Sequence, residues 1–309
     1  MRFRLFAALI AATLLSLGRQ AIAQREQLLV STEWLATHLH DPNLVLLHVG
    51  DDKEYAAKHI PGARFATMDD ISISDHTGAG LMLEMPTAES LRERLAKLGI
   101  SNNSRIVVYY GNDWVSPSTR IIFTLDYAGL GANASLLDGG MPAWIRDGHE
   151  TTDKPSTPRT GTLAALRVKP LVVDAAYVKA HIGKTGVSIV DGRDASFYDG
   201  VRSGSDHTGS QRAGHIASAK SVPYTEVVYD NMLVKSPNDL AALFAKAGVQ
   251  PGDTVVGYCH VGQQATAMLF AARSLGHPVL LYDGSFQDWS RQTPTNAYPV
   301  EKSVMATKQ

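Results

Sequence analysis

His59-Ile60-Pro61-Gly62-Ala63 recurs as His215-Ile216-Ala217-Ser218-Ala219. Leu95-Ala96-Lys97-Leu98-Gly99-Ile100 recurs as Phe244-Ala245-Lys246-Ala247-Gly248-Val249, and Asp138-Gly139-Gly140 with Trp144 recurs as Asp283-Gly284-Ser285 with Trp289. The order is kept while the offset falls from 156 to 145 residues, so the loops differ in length. A period this long marks two copies of a domain rather than a stack of short repeats. The break between them, Thr151 to Gly161, is rich in Thr, Pro, Lys and Ser, the composition of an exposed linker.

Within each copy, short apolar runs alternate with helical patterns. Val187–Asp191, Thr254–Tyr258 and Val279–Tyr282 read as strands of the second copy. Residues 237–247 read as a helix, with Ser236 as N-cap, Pro237 at its first position and Asp239 in its first turn. Residues 87–98 repeat that helix in the first copy. Continuous apolar strands separated by helices predict an α/β fold. Each of its two tandem domains is a mostly parallel sheet flanked by helices. The expected organisation is residues 27–150, a linker over 151–166, and residues 167–295.

Cys259 is the only cysteine. It closes the Thr254–Tyr258 strand and opens the polar loop His260-Val261-Gly262-Gln263-Gln264. A helix over 265–275 follows and stops at Gly276. A thiol on a tight strand-to-helix loop faces loop amides and a helix N-terminus, a setting that suits an anionic sulfur. Ligands of parallel sheets bind beyond the carboxyl ends of the strands, where Cys259 sits. The plainer alternative is a buried cysteine that packs as a small hydrophobe.

Arg2 and Arg4 precede an apolar run from Leu5 to Leu17, and Ala21-Ile22-Ala23 follows. This pattern predicts a signal peptide over 1–23, cleaved before Gln24, and a periplasmic or secreted mature protein without a membrane span. A single cysteine forms no internal disulfide in such an oxidising compartment. The formal charge of −1 gives no reason to expect a nucleic-acid or membrane partner, and the eleven histidines are scattered without metal-ligand spacing.

Asp191-Gly192-Arg193 ahead of Phe197-Tyr198, then Gly214-His215-Ile216, then Tyr258-Cys259 with Gly262, and finally Asp283-Gly284 with Trp289 together resemble the tandem-domain rhodanese, or sulfurtransferase, family. The resemblance covers nearly the whole chain after residue 23. It implies transfer of a sulfane sulfur from a small donor such as thiosulfate to a thiophilic acceptor such as cyanide. The intermediate is a persulfide on Cys259, formed without cofactor or metal. It also implies a catalytically inactive first domain that walls the cleft of the second, with the loop Gly111-Asn112-Asp113-Trp114 placed to do so. Aligning Tyr55 with Tyr198 puts His48 opposite Asp191 and Gly50 opposite Arg193. Aligning residues 107–110 with 255–258 puts Gly111 opposite Cys259, which leaves the first copy without a nucleophile. An internally duplicated chain needs no partner to complete its cleft, so a monomer is expected.

Backbone N–H groups of His260, Val261, Gly262, Gln263 and Gln264, curled around the sulfur, supply the means to hold an anion. Gly262 permits the curl by tolerating positive φ. Arg193 either meets the donor's anion or pairs with a carboxylate, and Asp191 supports it or the backbone. His59 and His215 are expected to lock a turn, and Arg202 and Arg212 to be solvated. Asp113 and Arg120 are weaker cleft candidates. The loop departs from both familiar types. It lacks the Arg and Lys that follow Cys in the thiosulfate type and the Ser/Thr of the 3-mercaptopyruvate type. Thiosulfate is favoured on the expectation that His260 becomes cationic and that Gln263 and Gln264 donate to sulfonate oxygens. The alternatives are 3-mercaptopyruvate as donor, and a periplasmic sulfur carrier that serves a protein partner. A phosphatase of related fold would need an Arg where Ala265 stands.

Overall fold

A computed structural model describes residues 25–111, 115–156, 159–206 and 209–303. The first sheet holds β1 (Leu29–Val30), β2 (Leu44–Val49), β3 (Arg64–Ala66), β4 (Arg105–Tyr110) and β5 (Ala134–Leu137), in the order β1-β5-β4-β2-β3. In the second half come β6 (Val172–Val173), β7 (Val187–Asp191), β8 (Ser205–Asp206), β9 (Gly209–Ser210), β10 (His215–Ile216), β11 (Lys220–Ser221), β12 (Thr254–Tyr258), β13 (Val279–Tyr282) and β14 (Val300–Glu301). Its main sheet runs β11-β7-β12-β13-β6, the same order read from the other edge. Every pairing in both five-stranded sheets is parallel. The signal-peptide segment 1–23, residues 157 and 158 of the linker, and residues 112–114 lie outside the described residues. Among the described residues no helix is long and apolar enough to cross a membrane.

Local chemistry repeats with the sheets. Helices Ala88–Lys97 and Pro237–Lys246 begin alike, with Thr87 and Ser236 accepting the N–H of Ser90 and Asp239. The His59 and His215 rings stack on Tyr55 and Tyr198 at 4.1 and 3.8 Å between centroids. Nδ1 of each His lies 2.7 Å from the carbonyl oxygen of its own Tyr, which locks the turn. Trp144 and Trp289 are buried in two matching outer clusters.

Alternation along the central strands sorts the core into layers. On β12, Val255 and the following Cys259 face a core shared by both halves, while Val256 and Tyr258 face the outer cluster of their own half. On β4, Ile106, Val108 and Tyr110 face the shared core, and Val107 and Tyr109 face outward. Tyr109 therefore matches Tyr258, and Tyr110 matches Cys259. Pairing agrees, since Tyr109 sits opposite His48 as Tyr258 sits opposite Asp191. Each of these two tyrosine hydroxyls accepts an N–H from the repeated turn, from Ile60 at 3.1 Å and from Ile216 at 3.0 Å.

The expected alignment of Gly111 with Cys259 is thus wrong by one residue. The tyrosine doublet admits two matches to the single Tyr258, and a one-residue slip exchanges the faces of every side chain. A tyrosine stands in the first half where the second has Cys259, and the Tyr110 hydroxyl donates across to the Met232 carbonyl at 2.6 Å.

Helices Ser116–Tyr127 and Ala265–Ser274 pack against each other in the shared core, where the Thr119 and Thr266 hydroxyls lie 3.0 Å apart. Reciprocal contacts flank them. Asp138 accepts the N–H of Val234 at 2.8 Å, and Asp283 accepts that of Met85 at 2.7 Å. Each sheet's terminal Asp thus caps a backbone donor of the other half.

Tyr258→Phe leaves the buried Ile216 N–H without its acceptor, so it should cost about 1–3 kcal/mol. Tyr109→Phe should cost a similar amount in the first half. Urea unfolding of both variants checks this, and a change below about 0.5 kcal/mol in both would contradict the shared role.

Candidate active site

Cys259 lies just past the carboxyl end of β12 with no exposed surface. Its N–H donates to the Ser285 hydroxyl at 3.2 Å, and that hydroxyl donates to the Tyr282 carbonyl at 2.9 Å. The corresponding first-half position is Gly140, where a Cβ would stand 2.6 Å from the Tyr110 ring. The large ring enforces a glycine there, and the smaller cysteine leaves room for Ser285. Both residues hold positive φ, +54° at Gly140 and +52° at Ser285. Sequence reading passed over Ser285 as part of a turn, and its only signal was the Gly-to-Ser change between copies.

The loop after Cys259 turns its carbonyls away from itself. The Cys259 carbonyl accepts from Phe286 N and that of His260 from Gln287 N, both at 3.0 Å. The Gly262 carbonyl accepts from Arg120 Nη1 at 3.0 Å. The Gln263 carbonyl accepts from Thr266, by its N–H at 3.1 Å and its hydroxyl at 2.6 Å. A planar trans peptide puts the next N–H on the side opposite its carbonyl. The N–H groups of His260, Val261, Gln263 and Gln264 therefore point away from these partners, and no acceptor among the described residues takes them. These four N–H groups sit in the loop that follows the one buried cysteine, and backbone donors of this kind are able to bind an anion.

Gly262 is required twice over. Its φ is +82°, and a Cβ there would stand 2.8 Å from the Asp283 carbonyl oxygen and 3.0 Å from Arg120 Nη1. Val261 is half-buried. Gln263 reaches toward the Ser116 hydroxyl of the first half at 3.4 Å. Gln264 precedes helix Ala265–Ser274, and its Oε1 is buried without a partner among the described residues.

Of the two roles open to Arg193, the structure shows the ion pair. Its Nε and Nη2 contact Asp191 at 2.6–3.1 Å, Nη2 also donates to the Gly214 carbonyl at 2.7 Å, and both side chains are buried. The guanidinium lies 4.0 Å above the Phe286 ring. Asp191 Oδ1 also accepts the Arg193 N–H at 2.9 Å, so it orients backbone and guanidinium together.

His260 differs from expectation. Burial, and next the nearby Arg193 charge, hold its pKa down at about 4, so the imidazole is neutral at neutral pH. Its ring meets the Phe197 ring edge-on at 4.6 Å, and Nδ1 lies 3.2 Å from Gln211 Oε1. The exposed Arg202 lays its guanidinium over the Phe197 ring, 4.5 Å from its centroid. Arg212 is not a free solvated residue, since it donates to the Trp289 and Tyr298 carbonyls at 2.7 and 2.8 Å. Of the loop expected to wall the cleft, Asn112, Asp113 and Trp114 lie outside the described residues.

Arg120 is fully buried, pairs with Asp283 at 2.8 Å and donates to the Gly262 and Leu83 carbonyls. Beside it, Glu84 lines a cleft of about 510 Å³ with Asp174, Asp283 and Asp288. Burial, and next the Asp283 charge, raise the Glu84 pKa to about 7, against the opposing pull of Arg120.

The comparisons agree with this architecture. The model of the rhodanese-like domain matches residues 31–147 and 174–292. The chain belongs to the rhodanese family, in its two-domain form. Thiosulfate sulfurtransferase of Rattus norvegicus is 29% identical over 279 residues, covering 86% of this chain and 93% of the relative. The sulfur carrier protein TtuD of Thermus thermophilus is 30% identical over 274 residues, covering 85% and 93%. Among solved structures, the 3-mercaptopyruvate sulfotransferase SseA from Escherichia coli superposes with a TM-score of 0.72 at 28% identity, over 83% of this chain and 98% of that one.

Gly262→Ala should cost roughly 1–2 kcal/mol from the left-handed backbone alone, and more from the contact with the Asp283 carbonyl. Chemical denaturation checks this, and an unchanged midpoint would remove the backbone argument. Glu84 makes a pH prediction. Its folded-state pKa lies above its ordinary 4.5, so between about pH 4.5 and 7 the folded chain keeps a proton that the unfolded chain has released. Its contribution to stability is full below that window and is lost as pH rises through about 7. Glu84→Gln never ionises. It should melt like the parent near pH 5 and at a higher temperature near pH 8, and equal melting temperatures at both pH values would count against the raised pKa.

Proposed function

We propose that the protein moves a sulfane sulfur from thiosulfate to a thiophilic acceptor such as cyanide, through a persulfide on Cys259. The enzyme is a sulfurtransferase, in keeping with its family and with relatives that span nearly its whole length. The observation that carries the mechanism is the set of N–H groups in the loop after the one buried cysteine that no acceptor among the described residues takes. The Cys259 thiolate attacks the outer sulfur of the donor, the S–S bond of thiosulfate breaks, and sulfite leaves with the bonding pair. Cyanide then attacks the terminal sulfur of Cys–S–S⁻, thiocyanate leaves, and the thiolate returns. Splitting the exchange in this way gives ping-pong kinetics. The loop amides hold the anionic sulfur at each stage, so the reading needs no cofactor or metal.

The neutral His260 leaves anion recognition to amides and to the Gln263 and Gln264 side chains, with Arg202 at the Phe197 wall. The likeness to SseA supports 3-mercaptopyruvate as an alternative donor, and that to TtuD supports a carrier that delivers its sulfur to a protein. We also propose export to the periplasm, on the pattern of Arg2, Arg4, the Leu5–Leu17 run and Ala21-Ile22-Ala23. Action as a monomer is supported by the reciprocal contacts that join the two halves within one chain.

Intact-mass spectrometry tests the chemistry. Thiosulfate should add about one sulfur mass to the parent and none to Cys259→Ser, and cyanide should remove it with release of thiocyanate. Turnover retained in Cys259→Ser would end this mechanism. No mass gain from thiosulfate, with a gain from 3-mercaptopyruvate, would move the donor to the alternative. Sequencing of the exported protein should begin at Gln24.

A further inference from the structure

We infer that Arg120, supplied by the half that lacks the nucleophile, is a positioning residue for the sulfur-binding loop and makes the first half a working part of the site. The inference rests on the sulfur-transfer reading. Four loop carbonyls face outward. Those of Cys259, His260 and Gln263 are taken by Phe286, Gln287 and Thr266 of the second half. The Gly262 carbonyl alone among these depends on the first half, through Arg120 Nη1.

Arg120 is itself fixed. It has no exposed surface; Nη1 donates to the Gly262 carbonyl, Nη2 donates to the Leu83 carbonyl, and Nη1 forms an ion pair with Asp283 Oδ1 at 2.8 Å without hydrogen-bond geometry. Asp283 is held in turn by the Met85 N–H at 2.7 Å. The guanidinium thus joins the loop to the end of β13 and to the 83–85 segment at once. Lysine presents a compact charge rather than a planar fork and does not reproduce three such contacts.

The consequence for chemistry follows from the peptide plane. Arg120 holds the Gly262 carbonyl outward, which directs the Gln263 N–H to the opposite side. Gly262 has no side chain to resist rotation of this unit, and its positive φ is strained for other residues but not for it. Without Arg120 the 262–263 peptide is free to turn over. A turned peptide puts a carbonyl oxygen where the Gln263 N–H stood, which repels an anion held by the loop.

The test uses the full mature chain with Arg120→Lys and, as a second variant, Asp283→Asn, which keeps the guanidinium but loosens its anchor. Circular dichroism and thermal unfolding report folding. The rate of Cys259 alkylation by iodoacetamide across pH reports the hold on the thiolate. Intact mass after thiosulfate reports persulfide lifetime, and steady-state assays separate kcat from KM. Arg120→Lys should fold, shift the alkylation profile to higher pH, shorten the persulfide lifetime and lower kcat about 100–1,000-fold, the range for losing one anion-stabilising donor. Asp283→Asn should move all three in the same direction by less.

If Arg120→Lys fails to fold, Asp283→Asn decides by the same measures. A folded variant with the parent's alkylation profile and persulfide lifetime overturns the inference, even if KM changes. A parent that accepts sulfur from neither thiosulfate nor 3-mercaptopyruvate defeats the sulfur-transfer reading instead, and the alkylation profile still decides on Arg120.

Discussion

A peptide unit cannot offer its N–H to one side without turning its carbonyl to the other, and each buried carbonyl needs a donor. The loop after Cys259 is governed by this constraint. To gather N–H groups around a sulfur, the protein must find partners for the carbonyls that face outward. The start of helix Ser285–Arg291 supplies two through its own unpaired N–H groups, which need acceptors in any case. Thr266 supplies another from within the first turn of the next helix. The remaining carbonyl belongs to Gly262, and the guanidinium of Arg120 reaches it across the shared core. The packing of the two halves and the shape of the loop after Cys259 are therefore one problem.

Duplication provides the contrast that shows what the second half needs. Both copies keep the Tyr–His stack, the outer Trp, the inner-face strand residue and the Asp that crosses to the other half. In the first copy the inner-face residue is Tyr110, whose ring occupies the space that a side chain at Gly140 would need. Where the second copy has the Asp191–Arg193 pair, the first has His48, fully buried with neither ring nitrogen bonded among the described residues. Burial holds the His48 pKa down at about 4, so this position is neutral. The first half carries an uncharged residue where the second has a charged pair, and a space-filling ring where the second has Cys259. It keeps the surface that the second half uses.

Much of this was legible in the sequence for a physical reason. Strands buried on both faces read as apolar runs, and β7, β12 and β13 fall where those runs predict them. The N-cap at Ser236 was visible because short hydroxyl side chains before a helix have one dominant use. The register of β4 was not legible, because adjacent tyrosines carry no sign of which one faces out. The neutrality of His260 was hidden for a similar reason. Its low pKa comes from burial and from Arg193, which lies 67 positions away in the chain.

Arg120 shows the limit most sharply. Within helix Ser116–Tyr127 it looks like one basic residue in an apolar stretch, and long basic side chains usually reach solvent by extending their stems. Two of its partners are 142 and 163 residues further along the chain and the third, Leu83, is 37 residues before it, in segments that themselves have ordinary local readings. Burying an arginine is unfavourable unless its charge is paired and its donors are used. That cost is why its presence carries information once the fold is known. An arginine without exposed surface, facing a carboxylate and two carbonyls, would be replaced by an apolar residue at little loss if packing were its only task. Its carbonyl contact falls on Gly262, the loop residue with the least intrinsic preference for any orientation. The least determined peptide of the loop and the most constrained side chain of the interface meet at one hydrogen bond, which ties the geometry around the cysteine to the half that has none.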